Sequence, residues 1–229
     1  MRWNIAVSLT AAAFHAATFV VASNKKVPEY RAYLLFTGFF MIMELFQASQ
    51  WWIGDVTVGC TEFNRTMTMM AYLLIWFQPY LFAVIGDRSR LHSVQVRLQY
   101  AKKVAHMTLW YAMINLFAGM STRPSYQLPR SNFGLETCTT VGPHGHLAWS
   151  FAPLTIVYGP THFVYVILIL ATISFYPRPL LFTIGVGWIA TLFVSTYLVG
   201  AGAELPAFWF LLSVFVDIPI LARVLLYRA

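Results

Sequence analysis

The sequence predicts an all-α membrane protein, a single transmembrane domain that folds as a bundle of seven membrane-spanning helices. Of its 229 residues, 59% are hydrophobic and only 10% are charged, whereas soluble domains usually carry about 25% charged residues. The apolar residues also form long blocks, several of which exceed the ~18 residues that identify a transmembrane helix. Both observations argue against a soluble domain whose surface faces water.

Seven apolar blocks can be placed in order along the chain. Each block is about long enough to cross a hydrocarbon core of ~30 Å as a helix. We interpret the first block as a spanning helix rather than a signal peptide, because no convincing cleavage site follows it. The connections are short except for residues 121–153. The predicted spans are about 5–22, 33–53, 66–86, 104–120, 154–175, 180–198 and 207–227.

Successive loops of the predicted bundle alternate between many and few basic residues, so most basic residues lie on one side. The positive-inside rule then places the N-terminus outside and the C-terminus in the cytosol. The net charge of +7 therefore fits topology and an anionic lipid bilayer, and we expect no nucleic-acid partner. One side holds 11 of the 15 basic residues: Lys25, Lys26, Arg31, Arg88, Arg90, Arg97, Lys102, Lys103, Arg178, Arg223 and Arg228.

Two further signals fall in loops 54–65 and 121–153, which this topology places on the outer or lumenal side. Cys60 and Cys138 lie one in each loop, and an oxidising compartment would allow them to form a disulfide. Asn64 begins an Asn-Arg-Thr glycosylation sequon. The sequence therefore predicts a protein of the plasma membrane or of an endomembrane in the secretory pathway.

Polar side chains inside the predicted spans are the candidate functional residues. A charged side chain at the bilayer centre costs roughly 2.5–3.5 kcal/mol on insertion scales, so such groups face the bundle interior. Their depths run from the midplane outward, which predicts an outward-facing polar pocket. For the amides, helix-to-helix hydrogen bonding is the plainer interpretation. The candidates are His15, Glu44, Gln47, Gln50, Gln78, Asn115, His162 and Asp217.

Sites for a metal, a cofactor or catalysis are not indicated. His144 and His146 form a His-x-His pair in the long loop, but two histidines alone do not hold zinc. A retinal chromophore needs a lysine in the last helix, and all four lysines lie in loops. We assign no catalytic residue and expect no enzyme activity.

The first 90 residues resemble a known family. The features are Trp3 and Asn4, the Met43–Gln47 stretch with Trp51, Cys60 with Asn64, and Gln78 followed by Pro79. Together they resemble an uncharacterised family of small multi-helix membrane proteins from large DNA viruses and unicellular eukaryotes. That family usually has Cys at the second position, where this chain has Arg2. The resemblance implies membrane topology and no particular chemistry.

These observations favour a transport or permeation protein for protons or a small cation. In that hypothesis Glu44 and Asp217 titrate or coordinate, and His15 and His162 are their proton partners. Gln47, Gln50 and Gln78 line the path. A non-catalytic subunit of a larger membrane complex, with aromatic outer faces as partner surfaces, is the alternative, whereas a lone homo-oligomer would favour transport. A seven-helix receptor or sensor is the third hypothesis.

Overall fold

The computed structural model describes residues 4–25, 27–53, 56, 59–87, 92–122, 134, 136–153 and 161–227. These residues form seven helices and one β-hairpin. The helices are α1 (Ile5–Lys25), α2 (Tyr30–Ile53), α3 (Glu62–Asp87), α4 (His92–Thr122), α5 (His162–Ile173), α6 (Arg178–Val199) and α7 (Leu205–Leu226). The strands are β1 (Cys138–Val141) and β2 (Leu147–Ser150).

Five of these helices are long and apolar enough to cross a membrane: α1, α2, α3, α6 and α7. Helix α4 has 31 residues but is less apolar. Helix α5 is apolar yet has 12 residues in the described part of the chain. The predicted start of its span, 154–160, lies outside the described residues.

The β-hairpin departs from the all-α fold that the sequence predicted. Its strands pair antiparallel, from Cys138 with Ser150 to Val141 with Leu147. The turn closes where the Gly142 amide donates to the His146 carbonyl over 2.8 Å. Gly145 has a φ of 82°, a conformation that suits glycine. Strands of four residues are too short for their alternation to stand out in the sequence.

The hairpin covers one end of the bundle, which we call the hairpin end. Cys60 and Cys138 form the predicted disulfide, which ties β1 to the segment before α3. The Asn64 side chain makes two 2.8 Å hydrogen bonds to the backbone of Thr139, one to its N–H and one to its carbonyl. At the start of α7, the Ala203 carbonyl accepts from the Trp149 amide. Two separate regions of the chain, residues 60–64 and Ala203, therefore hold the hairpin.

The opposite end, which we call the basic end, carries ion pairs between helices. Lys102 of α4 contacts Asp87 at the end of α3. Arg223 of α7 lies 3.5 Å from Glu29, just before α2. Between the two ends, the core is aromatic. Trp188 of α6 stacks on Trp209 of α7 with ring centroids 4.3 Å apart.

Helices α6 and α7 each contain an irregular turn. In α6, residues Leu181–Gly185 form a π-helical turn, and in α7, residues Ser213–Val216 form a 3₁₀ turn. Pro219 follows the 3₁₀ turn and has no N–H to give the regular hydrogen bond to an earlier carbonyl. Such interruptions often mark functional positions in helices.

Candidate functional site

A buried cluster around Asp217 joins α1 to α7. The Nδ1 atom of His15 lies 2.8 Å from Oδ2 of Asp217, and both side chains are fully buried. The other ring nitrogen, Nε2, hydrogen-bonds with the Ser213 hydroxyl over 3.1 Å. Ser213 opens the 3₁₀ turn and Asp217 follows it. The imidazole thus contacts Asp217 through Nδ1 and hydrogen-bonds Ser213 through Nε2, and we call these three residues the Asp217 cluster.

A second buried cluster surrounds Glu44 on α2. Gln47, one turn further along α2, donates to Oε1 of Glu44 and to the carbonyl of Ala207, each over 3.4 Å. The Ser8 hydroxyl of α1 faces the same carboxyl group. Glu44 is fully buried, and Ser8 and Gln47 are each 4% exposed. Together Ser8, Glu44 and Gln47 form the Glu44 cluster, where α1, α2 and α7 meet.

The two clusters lie at different heights along α1 and α7. Ser8 and His15 are seven residues apart on α1, which corresponds to roughly 10 Å along a helix. Phe40 precedes Glu44 by one turn of α2, and its ring centroid lies 6.2 Å from that of His15. The same ring packs against Trp188 at 4.7 Å. Glu44 and Asp217 thus belong to separate clusters, with an aromatic layer beside His15.

A small cavity lies between the Glu44 cluster and the hairpin. Its volume is about 10 Å³, and Ser8, Gln47 and His146 are among the residues that line it. That is room for about one water molecule, with polar partners on its walls. His146 is buried against Phe208, with ring centroids 4.6 Å apart. Neither Glu44 nor Asp217 lines this cavity.

His146 and His144 have different environments at the hairpin end. Burial, together with the nearby charge of His144, lowers the pKa of His146 to about 4. Burial penalises the charged form of an imidazole, so His146 favours its neutral form. His144 is exposed and bonds through Nδ1 to Oε2 of Glu204 over 2.6 Å. Among the described residues, no group of three His, Cys, Asp or Glu side chains could hold a metal ion.

Polar contacts also continue toward the basic end. Tyr33 of α2 accepts a hydrogen bond from Thr183 of α6 over 3.4 Å, and its hydroxyl also meets Arg223. Arg223 in turn reaches Glu29. We call the whole series the polar column. In order from the hairpin end it consists of His146, the Glu44 cluster, the Asp217 cluster, and the group of Tyr33, Thr183, Arg223 and Glu29.

The remaining residues predicted from the sequence lie away from the column. Gln50 accepts from Trp149 Nε1 over 3.0 Å and donates to Thr139, so it attaches α2 to the hairpin. Gln78 accepts from the Tyr165 hydroxyl and joins α3 to α5. Asn115 donates to the carbonyl of Tyr111 on its own helix. Gln50 and Gln78 therefore join separate elements of the fold, whereas Asn115 bonds within its own helix.

His162 is the one predicted proton partner that the structure places elsewhere. It begins α5 and lines an apolar cavity between α3, α5, α6 and α7. The cavity wall and the polar column contain different residues. Of the two predicted proton partners, His15 is the one that contacts a carboxylate.

Asn64 is 1% exposed, and both its amide oxygen and its amide nitrogen bond the backbone of Thr139. A glycan on this nitrogen would displace one of those bonds and push the hairpin from α3. The structure therefore does not support glycosylation of the sequon.

Sequence reasoning missed several members of the column. Ser8 and Ser213 are short hydroxyl residues that satisfy their own helix in most membrane proteins, so neither is distinctive. His146 was considered only as a metal ligand. The signal available for Ser8 and Ser213 was position, since α1 and α7 already held His15 and Asp217, whereas His146 lies in the hairpin that the sequence did not predict.

Comparison with known proteins supports an uncharacterised family with a member in a large DNA virus, and it covers nearly the whole chain rather than the first 90 residues. A model described as a family of unknown function (DUF5765) matches residues 6–227. The chain belongs to this family. An uncharacterized protein of Acanthamoeba polyphaga mimivirus is 32% identical over 232 residues, covering 98% of this chain and 96% of the viral protein. No solved structure matches the chain.

Proposed function

We propose that this chain is an integral membrane protein that moves protons along the polar column. The observation that carries the proposal is the burial of two carboxyl groups, Glu44 and Asp217, in two polar clusters at different heights between the two ends of the bundle. Burying such groups is costly in a membrane, so they are kept where ions or protons pass. The other side chains of the column supply hydroxyl, imidazole and amide partners for the same protons.

The membrane placement rests on the five long apolar helices. The hairpin end, with its disulfide, then faces the outside or the lumen, where disulfides persist. The basic end faces the cytosol, in line with the positive-inside rule. Lys25, Arg31, Lys102 and Arg178 lie at that end among the described residues.

Protons fit the column better than metal cations. The cavity of about 10 Å³ beside the Glu44 cluster has room for about one water. Hard cations such as Ca²⁺ or Mg²⁺ need about six oxygen ligands, which the Glu44 cluster does not supply. A proton needs only a series of hydrogen-bonding groups that can exchange it.

Transfer between the two clusters requires a conformational step, because Phe40 packs beside His15 at the level between them. Ser213 begins the 3₁₀ turn of α7 and Asp217 follows it. Pro219 removes a regular backbone hydrogen bond there, so this part of the helix is less constrained. A small shift of this turn would break the contact of Ser213 with His15. We therefore place the moving element in α7.

Proton flux into liposomes that hold the purified protein and a pH-sensitive dye tests the proposal. Glu44→Gln and Asp217→Asn keep the side-chain size and remove the titrating group, so each should reduce flux at least tenfold. Asp87→Asn is the matched control, since Asp87 lies at the basic end outside the column and should retain flux. A thermal melting curve of each variant checks that the variant is folded.

Equal flux in wild type and both neutralised variants would end the proposal. A protein without flux, in which the two substitutions lower stability or assembly, would favour the alternative of a subunit of a larger complex. Ligand-dependent signalling without flux would favour the receptor hypothesis.

A further inference from the structure

A second cavity, of about 220 Å³, lies apart from the polar column in the half of the bundle near the hairpin. Tyr72 and Trp76 of α3 form one wall, and Trp209 of α7 forms another. Val166 of α5 and Leu192 of α6 also line it. A well-formed apolar cavity with few polar groups is the usual form of a site for a small apolar ligand.

This cavity continues as a narrow cleft toward the basic end. A smaller cavity of about 10 Å³ shares Val166, Leu192 and Trp209 with the larger one and extends to Leu170 of α5 and Trp188 of α6. From His162 to Leu170 there are eight residues of helix, or roughly 12 Å. The combined space is therefore long and becomes narrow, so it suits a chain better than a ring system.

Polar groups lie at one end of the space. His162 is the first residue of α5, and Thr196 lies one turn before the end of α6, so both are near the hairpin end. Tyr165 also lines the cavity, but its hydroxyl donates to Gln78 on α3. The wall deeper in the bundle is built from Val166, Leu192 and aromatic rings. A ligand in this space would be polar at one end and apolar along its length.

The cavity reaches the lateral surface of the bundle at α6. Phe193 lines it and is 70% exposed, and Thr196 lines it and is exposed. Neighbouring exposed residues on that side of α5 and α6, such as Ile167 and Val194, are apolar. In the proposed membrane orientation this opening faces lipid chains of the outer leaflet, so a lipid molecule can enter sideways.

We propose that this cleft binds a long-chain fatty acid, with its chain between α5 and α6 and its carboxyl group at His162 and Thr196. The proposal rests on the proposed membrane placement but does not depend on proton movement. Because a lipid chain is already out of water in the bilayer, packing against the aromatic walls and the polar contacts at one end must supply the preference. We therefore expect selectivity for chain and carboxyl group rather than very high affinity.

The test uses cis-parinaric acid, a fluorescent polyene fatty acid, with the full-length protein in detergent micelles. Trp76 and Trp209 line the cavity, so bound probe should accept their excitation energy. We expect energy transfer that saturates with probe concentration and that oleic acid reverses. An oleoyl lysophospholipid should compete at least tenfold less well, which separates a free fatty acid from a phospholipid chain.

Matched variants on α5 locate the site. Val166→Phe fills the cleft from its wall and should weaken probe binding at least tenfold. Ile167→Phe adds the same ring one residue further along, where the side chain is exposed, and should bind as wild type does. If Val166→Phe melts at a lower temperature, Leu192→Phe on α6, which also lines the cavity, replaces it, with the same expected loss.

The polar end is tested with His162→Gln and the methyl ester of the probe. We expect His162→Gln to weaken binding of the acid severalfold while leaving the ester unchanged. Energy transfer to the probe that never saturates, or that is equal in Val166→Phe and Ile167→Phe, would overturn the proposal. Because binding is measured without any proton gradient, its failure is distinct from failure of the proposed proton flux.

Discussion

At the scale of single residues, the contact between His15 and Asp217 determines whether a carboxyl group can remain buried in the column. Both side chains are fully buried, and each lies on a different helix. Removing one partner of a buried ion pair leaves the other in a dry environment without compensation. The Ser213 hydroxyl holds the second nitrogen of the imidazole and so fixes the ring orientation.

We predict that His15→Gln lowers the free energy of unfolding by roughly 3–5 kcal/mol, because Asp217 loses its partner. Thermal melting in detergent measures the effect. His106→Gln changes an exposed histidine of α4 and should be neutral. The double variant with Asp217→Asn should recover part of the loss. Equal melting of His15→Gln and wild type would show that the pair contributes nothing to stability.

His146 gives the hairpin end a pH dependence of known direction. Its pKa falls from 6.5 to about 4 in the folded protein, so below about pH 6.5 the unfolded chain takes up a proton that the folded chain does not. Lowering the pH from 6.5 to 4 should therefore destabilise the fold, by at most about 3 kcal/mol. His144 and Glu204 are the titratable groups nearby.

Melting curves between pH 4 and pH 7 measure this dependence. In His146→Phe, which keeps a ring against Phe208, the dependence should become flatter. A slope unchanged from wild type would assign the effect to His144 and Glu204 instead.

At the scale of elements, the hairpin closes the end of the column and depends on its attachments. The disulfide spans 78 residues of sequence, and removing a native disulfide from a small domain typically costs about 2–5 kcal/mol. Cys60→Ser with Cys138→Ser should lower the free energy of unfolding by an amount in that range. Reductant should lower the melting temperature of wild type and leave the double variant unchanged. A reductant effect on the double variant would contradict the assignment.

The helices were predictable from the sequence to different degrees. Continuous apolar blocks place α1, α2, α3, α6 and α7 within a few residues of their observed ends, because their composition alone makes water a poor environment. Helix α4 extends well beyond its predicted span of 104–120, since polar residues such as Lys102 continue the helix past its apolar part. The hairpin was missed because backbone pairing and a distant disulfide stabilise it, rather than a local pattern.

The candidate site was predictable in part for a similar reason. Buried carboxyl groups stand out in an apolar sequence, so Glu44 and Asp217 could be selected from composition. Which residues contact them depends on how helices pack. Packing assigns His15 to the column and His162 to the apolar cleft, and one sequence contains no signal for that difference.

At the scale of the whole molecule, the proposed proton movement requires a defined sidedness, which labelling can measure. Glu62→Cys at the hairpin end and Lys25→Cys at the basic end introduce exposed thiols, while both native cysteines are in the disulfide. An impermeant maleimide applied to intact cells should label Glu62→Cys directly and Lys25→Cys only after permeabilisation. The reverse pattern would invert the proposed orientation.

The central claim is that the intact protein selects protons, and the reversal potential of its current across a planar bilayer tests it most directly. With a pH difference between the two sides, the account predicts a reversal potential that follows the proton gradient. Exchanging sodium for potassium should leave it unchanged. Glu44→Gln should abolish the current. A reversal potential that follows sodium or potassium, or a current that persists in Glu44→Gln, would contradict the account.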